Sequence, residues 1–550
     1  MKRILSAVAV AFVPTLMMAQ SALDAYQLGQ SDLRGTARFM SMGGAFTALG
    51  GDLSTLNQNP GGIGVYRSSE VGATLDINMQ HSTSLTPEYE TKDSQTKVHC
   101  NNFGYVGSVY LGEGSAMPFF NWGASYSRVA SFDRRYGGTF GNLPSSLTNY
   151  VAANTTMAGG WTPSILDGYS SGYNPYQDSR APWMSVLMYN GYGINPLDPT
   201  NIDTDAYEGL FQEGTKGAGS FSVQEEGHID EYSINFGGNV KNVVYWGIGF
   251  GITDISYTNN TFWSESLEGA RIPNETADGV TDGSASYDLK SWKHMYGSGF
   301  NFKVGVIVRP INELRIGFAV HTPTYYNMTY QGTAAMDYAY PTTGYHGYTY
   351  TDEGYIDEFD WKYRSPWRLM VGAAGVIGGK GIISVDYEYK GYGNMNVQDR
   401  YGTTYNDIKT DINNYYQGSS TIRLGAEYRI SNNVSVRAGY AYESTPVKEG
   451  ASSGDQIVYT DGPDFTETTP SYQFDRTTQH VTCGLGYHYK NFYVDAAYVY
   501  KIRKSTFHAF DTYDVNYLQG TDVPAAYAAT PIADVKNNNS ELVFSLGFRF

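Results

Sequence analysis

The chain ends Glu541-Leu542-Val543-Phe544-Ser545-Leu546-Gly547-Phe548-Arg549-Phe550. Leu542, Phe544, Leu546, Phe548 and Phe550 share one parity, and Val543, Ser545, Gly547 and Arg549 take the other. A period of two sends successive side chains to opposite faces of a strand. One face is therefore apolar, and the other is largely small, polar or charged. The same alternation sets Val434, Val436, Ala438, Tyr440 and Tyr442 against Ser435, Arg437, Gly439 and Ala441. It also sets Ile422, Leu424, Ala426 and Tyr428 against Arg423, Gly425, Glu427 and Arg429.

About fourteen such segments occur, near 70–80, 102–111, 119–130, 229–240, 244–257, 296–308, 313–322, 367–378, 382–390, 420–430, 433–443, 477–489, 492–501 and 541–550. Most have about 10 to 13 residues, the length a tilted strand needs to cross a bilayer. Connections alternate short and long. Arg309-Pro310-Ile311-Asn312, Gly379-Lys380-Gly381 and Ser431-Asn432 are short. The long ones run to roughly 20 to 100 residues, the longest near 131–228. This is the pattern of an all-β, transmembrane antiparallel β-barrel of about fourteen strands. A soluble sandwich or propeller would have shorter strands and less regular loop lengths. A bilayer tolerates no open sheet edge, so the strands must close into a ring.

Composition agrees. Of 550 residues only 17% are charged, 15% are aromatic, and there are 49 Tyr and 63 Gly. A net charge of −17 argues against a nucleic-acid partner, which would need a basic face. Cys100 and Cys483 alone exclude a disulfide scaffold and any CxxC motif. Tyr and Trp near strand ends suit the aromatic girdles of a membrane barrel. No HExxH motif occurs, no cofactor is indicated, and the chain does not read as an enzyme.

Residues 1–19 read as a signal peptide: basic Lys2 and Arg3, an apolar stretch from Ile4 to Met18, and small Ala19 before Gln20. Residues 20–69 precede the barrel, 70–550, and lack clean alternation. They carry Met42-Gly43-Gly44-Ala45-Phe46-Thr47-Ala48, then Asp52, then Asn59-Pro60-Gly61-Gly62, a strong turn signal. Small residues permit the close backbone approach needed inside a crowded barrel.

On these residues the chain resembles the FadL/TodX family of outer-membrane transporters for long-chain fatty acids and other hydrophobic compounds. The resemblance is specific over about 35–66 and weaker over the barrel, where phrases such as Ser365-Pro366-Trp367-Arg368 carry it. The family usually has Asn-Pro-Ala where Gly61 stands here. The resemblance implies a fourteen-stranded barrel with residues 20–69 as an N-terminal hatch inside it. It implies hatch-gated passive diffusion of a hydrophobic small molecule, with Asn59, Pro60 and Gly61 seating the hatch. It further implies the outer membrane of a Gram-negative bacterium, outer-membrane lipids as surroundings, and the barrel-assembly machinery during biogenesis. Exit through a kinked strand is also implied, and Gly123 is the candidate for that bend. A haemin receptor, as some relatives are labelled, and a surface adhesin remain alternatives. A TonB-dependent receptor would need a far longer plug and 22 strands.

Strand phase points Arg315, His321, Arg368, Arg423 and Arg437 into the lumen. Acidic neighbours on adjacent strands predict cross-strand ion pairs that support the barrel and anchor the hatch. An arginine fork would equally suit a substrate carboxylate. In the longest loop, Asp178 and Ser179 precede Pro182 and Gly191 ends the run, a helix signature. Trp183, Met184, Leu187 and Met188 would share one apolar face. That face either packs on other loops or forms a hydrophobic capture surface.

Overall fold

The computed structural model describes residues 21–550 except 113, 169–171, 178–180, 202, 275–278, 352–355, 453–466 and 514–528. The expected signal peptide and the capping pair Asp178 and Ser179 lie outside the described residues.

Fourteen antiparallel strands form the wall. They are β1 (Glu70–Leu85), β2 (Glu90–Tyr110), β3 (Phe119–Ser131, continued by Arg134–Phe140) and β4 (Lys216–Val240). Next come β5 (Val244–Pro273), β6 (Val280–Ile311) and β7 (Leu314–His321 and Tyr325–Tyr340). Strands β8 (Asp357–Arg364 and Arg368–Ile377) and β9 (Gly381–Gly391 and Asn396–Asp399) are also each in two pieces. The ring is completed by β10 (Gly418–Arg429), β11 (Val434–Glu443), β12 (Tyr472–Tyr489), β13 (Phe492–His508) and β14 (Ile532–Arg549). Each strand pairs with the next, and β14 pairs with β1 from Glu70↔Arg549 to Leu85↔Asp534. Ser69 and Phe550 exchange backbone hydrogen bonds of 3.0 Å at the seam. The sheet thus closes on itself, as a bilayer requires.

Short turns gather at one end of the barrel. Lys241 and Asn242 have φ of 51° and 57°, the left-handed pair of a primed hairpin turn, which matches the twist of the flanking strands. At the other end, the loop between β3 and β4 carries α-helices Leu147–Ala158 and Trp183–Asn190, and the loop between β9 and β10 carries Asn406–Tyr415.

Around the ring, outward residues near the short-turn end are apolar: Leu75, Phe103, Ile252, Phe318, Leu369 and Phe544 are all more than a third exposed. Their inward neighbours are mostly small or polar, among them Thr74, Asp76, Asn102, Thr253 and Ser545. This is the belt of a membrane barrel.

Several strands run well beyond the alternating segments of the sequence. β2 starts at Glu90, β4 at Lys216 and β6 at Val280, and β5 continues to Pro273. Beyond the belt the polarity inverts without loss of register. On β5, Phe250 and Ile252 face out, then Asp254 and Asn260 face out while Ile255, Tyr257 and Trp263 are buried inside. Apolar-outside alternation therefore stops where water replaces lipid, and the backbone ladder does not. The inward apolar residues join the loop helices in one core, which includes Leu147, Val151, Val186, Leu187, Trp263 and Phe510 and closes the long-loop end.

The register sets the two ends of the barrel apart. A Cys at exposed Thr200 should react with a membrane-impermeant maleimide on intact cells, and a Cys at exposed Asn432 should react only after lysis. Equal labelling of both would show that the strand count or orientation is wrong.

Candidate functional site

Residues 21–66 lie inside the ring and are mostly buried. Helix α1 (Ala22–Leu28) starts at Ser21, whose side chain accepts from the Asp24 amide. Helix α2 (Ala37–Ser41) is capped by Thr36 in the same way through Phe39. Helix α3 (Thr55–Gln58) leads into a 3-10 turn, Pro60–Val65. Thr36, Ser21 and Asn59 are good caps because their side-chain oxygens satisfy amides that the helix start leaves free.

The Asn59 side chain works in two directions. Its Oδ1 accepts from the Gly61 amide at 2.9 Å, and its Nδ2 donates to the Thr47 carbonyl at 2.6 Å. Pro60 occupies the first position of the turn, where its missing N–H costs nothing. Gly61 lies on the wall: a Cβ there would stand 2.8 Å from the Gly305 carbonyl carbon and the Val306 nitrogen. That contact gives the physical reason for Gly at 61.

The wall answers with glycines of its own. Gly237, Gly247 and Gly305 are direct cross-strand neighbours, as are Gly317 and Gly372, and Gly425 and Gly439. An added methyl at Gly247 would strike the Pro60 carbonyl, at Gly317 the Thr47 carbonyl, and at Gly439 the Gly43 amide. Strand glycines mark either a bend or a close backbone approach, and here the approach is that of the N-terminal segment.

Gly123 pairs in register with Val106 and Asn235, and a Cβ there would stand 3.0 Å from the Tyr105 carbonyl and 3.2 Å from the Val106 side chain, with Ile63 at 3.4 Å. The expected bend is corrected: the register shift of β3 falls between Arg128 and Ala130, and the strand breaks again before Arg134. Beyond Asn102, β2 has backbone pairing only with β1, and Arg134–Phe140 has it only with β4. Side chains span this seam: His99 with Asp133 at 2.8 Å, Lys97 with Glu226 at 3.0 Å, and Arg135 with Asp93 at 2.9 Å. Val98, two-thirds exposed, flanks it on the outside.

The lumen arginines and His321 are all engaged. Arg315 donates to the Leu49 carbonyl at 2.6 Å, and His321 Nε2 lies 2.8 Å from the Gln58 carbonyl. Arg368 and Arg423 share Glu388, at 2.7 and 2.6 Å. Arg437 joins Glu427 and Asp495, and Glu427 also holds Arg38 of the segment at 2.9 Å. The sequence reading did not single out three further anchors. Asp32 pairs with Lys501 and Arg503, Arg34 with Asp76 at 2.8 Å, and Asp24 with Lys293 at 2.8 Å. Charged residues scattered among small ones in 20–69 were the available signal. Buried charges must be paired, so barrel and segment complete each other.

Above this polar layer lies an aromatic core. Tyr26 of α1 stacks on Tyr416 (4.9 Å between centroids, 16°) and donates to Asp475 at 3.0 Å. Tyr326, Met328, Tyr363, Met395 and Ile412 surround it. Two small cavities flank the segment. One of about 60 Å³ is lined by Asn57, Glu231, Lys303, His321 and Arg368, and one of about 20 Å³ by Asp32, Arg34, Asp133 and Lys501. Neither approaches the several hundred Å³ of a ligand pocket.

The capture surface is also corrected. Trp183, Leu187 and Met188 are 3%, 0% and 0% exposed, and Met184 packs at the margin of the same core. Trp183 Nε1 donates to the Tyr176 carbonyl at 3.0 Å. The helix face is apolar as expected, but it closes the barrel mouth.

No protein-family description and no curated protein matches the chain. Among solved structures it is similar to a FadL homologue of Pseudomonas aeruginosa, with 12% identity, 95% of this chain and 100% of that one covered, and a TM-score of 0.49. It is also similar to the toluene transporter TodX of P. putida, with 14% identity, 94% and 99% covered, and a TM-score of 0.43.

Gly305→Val places a branched side chain against Asn59 and the Gly61 amide. The barrel should still migrate as a folded species on unheated gels. Residues 21–66, protected in the parent, should become open to protease from the short-turn side. Unchanged protection would refute the glycine seat.

Proposed function

We propose that this chain carries hydrophobic small molecules, long-chain fatty acids or similar compounds, across the outer membrane by passive diffusion gated by residues 20–69 acting as a hatch. One observation carries the reading: an apolar, aromatic core lies within the lumen, packed around α1 of the N-terminal segment. A general porin keeps a polar, water-filled lumen. Here Tyr26 packs on Tyr392 and Tyr416 in a core that also includes Tyr326, Met328 and Tyr363. An apolar ligand gains burial there when α1 withdraws, at roughly 25 cal/mol per Å² of apolar surface removed from water. The segment is held by side-chain hydrogen bonds, ion pairs and apolar contacts rather than by strand pairing, so a shift of it leaves the strand ladder closed.

The route runs from the long-loop end through the aromatic core to the seam between β2 and β3. There only side chains close the wall, and Val98 and Phe103 face the bilayer beside it.

The test is uptake of a labelled long-chain fatty acid by cells making the parent, a deletion of 21–66, Asn59→Ala/Pro60→Ala, and His99→Ala/Asp133→Ala. The Asn59/Pro60 variant should change uptake several-fold with the barrel intact. Opening the seam through His99 and Asp133 should raise uptake. Parent-like import in all four strains would defeat the transport reading and favour an adhesin.

The gate also predicts an effect of Tyr26. Tyr26→Ala removes its stack on Tyr416 and the hydrogen bond to Asp475, and vacates a site lined by aromatics. Apolar dyes should bind the detergent-solubilised variant about tenfold more tightly than the parent, because the competing side chain is gone. Equal dye affinity would place the ligand elsewhere.

A further inference from the structure

The extended parts of β4 to β7 stand beyond the lipid belt, and their outer face is hollowed into a groove of about 640 Å³. On β5 and β6, Asn260 lies directly opposite Trp292, and Phe262 lies opposite Lys290. Their side chains share the outward parity of Ile252 and Phe300 further down the same strands. Gln224 on β4 pairs with Asn260 and extends the first row. The far wall is the strand Tyr345–Tyr350, which pairs with the end of β7 and contributes Tyr348 and Tyr350, 56% and 41% exposed. Their rings lie 5.5 Å apart.

This face is unusual for exposed sheet. Open aromatic rings stand beside side-chain amides and one ammonium. A pyranose ring has the matching chemistry: an apolar C–H face that covers an aromatic ring, and a rim of hydroxyls that both donate and accept. Tyr and Trp combine a flat apolar body with a polar tip, and Asn and Gln supply both donor and acceptor at one site. Lys290 pairs with Asp337 at 3.3 Å, both well exposed, so water screens the pair and the ammonium can turn to an acidic sugar or phosphate.

Position selects the source of the sugar. The groove opens sideways from the wall and not at the loop end. Between Ile252 and Asn260 the outward residues of β5 are Asp254, Ser256 and Thr258, all polar. The groove therefore stands about 20 Å above the edge of the belt at ordinary strand rise and tilt. It is continuous with the belt along the same strands. A lipid standing against Phe250, Ile252 and Phe300 carries its headgroup directly below it. We infer that this groove holds the carbohydrate chain of a glycolipid of the outer leaflet whose acyl chains lie against the belt. The inference rests on the outer-membrane reading and is independent of what crosses the lumen.

The experiment uses the full-length barrel in detergent and three probes: lipopolysaccharide carrying its core oligosaccharide, the lipid A made from it by mild acid, and the released core oligosaccharide. Retention is read by native mass spectrometry and by titration. The parent should hold the core-bearing glycolipid about tenfold more tightly than lipid A. Trp292→Ala and Lys290→Glu should each remove most of that difference and leave lipid A binding unchanged. Both residues face outward, so the ladder and the fatty-acid uptake described above should be unaffected. Equal retention of lipopolysaccharide and lipid A, or a difference that survives both substitutions, would overturn the groove. Released oligosaccharide binding as tightly as the glycolipid would overturn the lipid-borne source.

Discussion

Everything in this molecule depends on the pairing of β14 with β1. An unpaired strand edge in hydrocarbon leaves a row of N–H and C=O groups without partners, each costing several kcal/mol. The ladder from Glu70↔Arg549 to Leu85↔Asp534 removes that edge. Once the ring is closed, every inward side chain shares one confined interior. That interior is wide enough to need filling and too dry to leave charges unpaired.

The N-terminal segment answers both needs. It brings Asp24, Asp32, Arg34 and Arg38 to the charges that the strands point inward, and its backbone lies on glycines of the wall. The two features are complementary in kind. Glycines allow approach without fixing position, and ion pairs fix position without filling space. A segment seated in this way has a defined place but is bound by contacts that can be exchanged. A covalently continuous wall strand could not move at similar cost. The same logic separates the two halves of the lumen. Ion pairs and apolar contacts hold the N-terminal segment near the short-turn end, and aromatic rings occupy the space beneath the loop cap.

The reversal of polarity along single strands ties the fold to its surroundings. On β5 and β6 the outward residues change from Phe250, Ile252 and Phe300 to Asp254, Asn260 and Lys290 while pairing continues. The wall therefore projects beyond the bilayer as a sheet cylinder with a water-facing exterior and an apolar interior. That projection provides a core against which the long loops fold, and an outer surface that stands above the lipid headgroups.

The sequence by itself determined the fourteen strands, their outward phase, the short turns and a small-residue segment ahead of them. These are local properties, since period two and turn chemistry are written in neighbouring residues. It also determined that Arg315, His321, Arg368, Arg423 and Arg437 face the lumen. Tertiary structure alone decided what each of them meets: backbone carbonyls of the plug for Arg315 and His321, and carboxylates on neighbouring strands for the others. Parity gives a face but not a height, and a partner is chosen by height. The same limit applies to Gly123, where a bend and a close approach look alike until the Tyr105 carbonyl and Val106 are seen beside it. It applies to Trp183 and Leu187, where an apolar helix face is evident and its covering by the barrel mouth is not. It applies to the upper strands, where the solvent outside changes from lipid to water and the alternation that marks a membrane strand disappears although the hydrogen bonds do not.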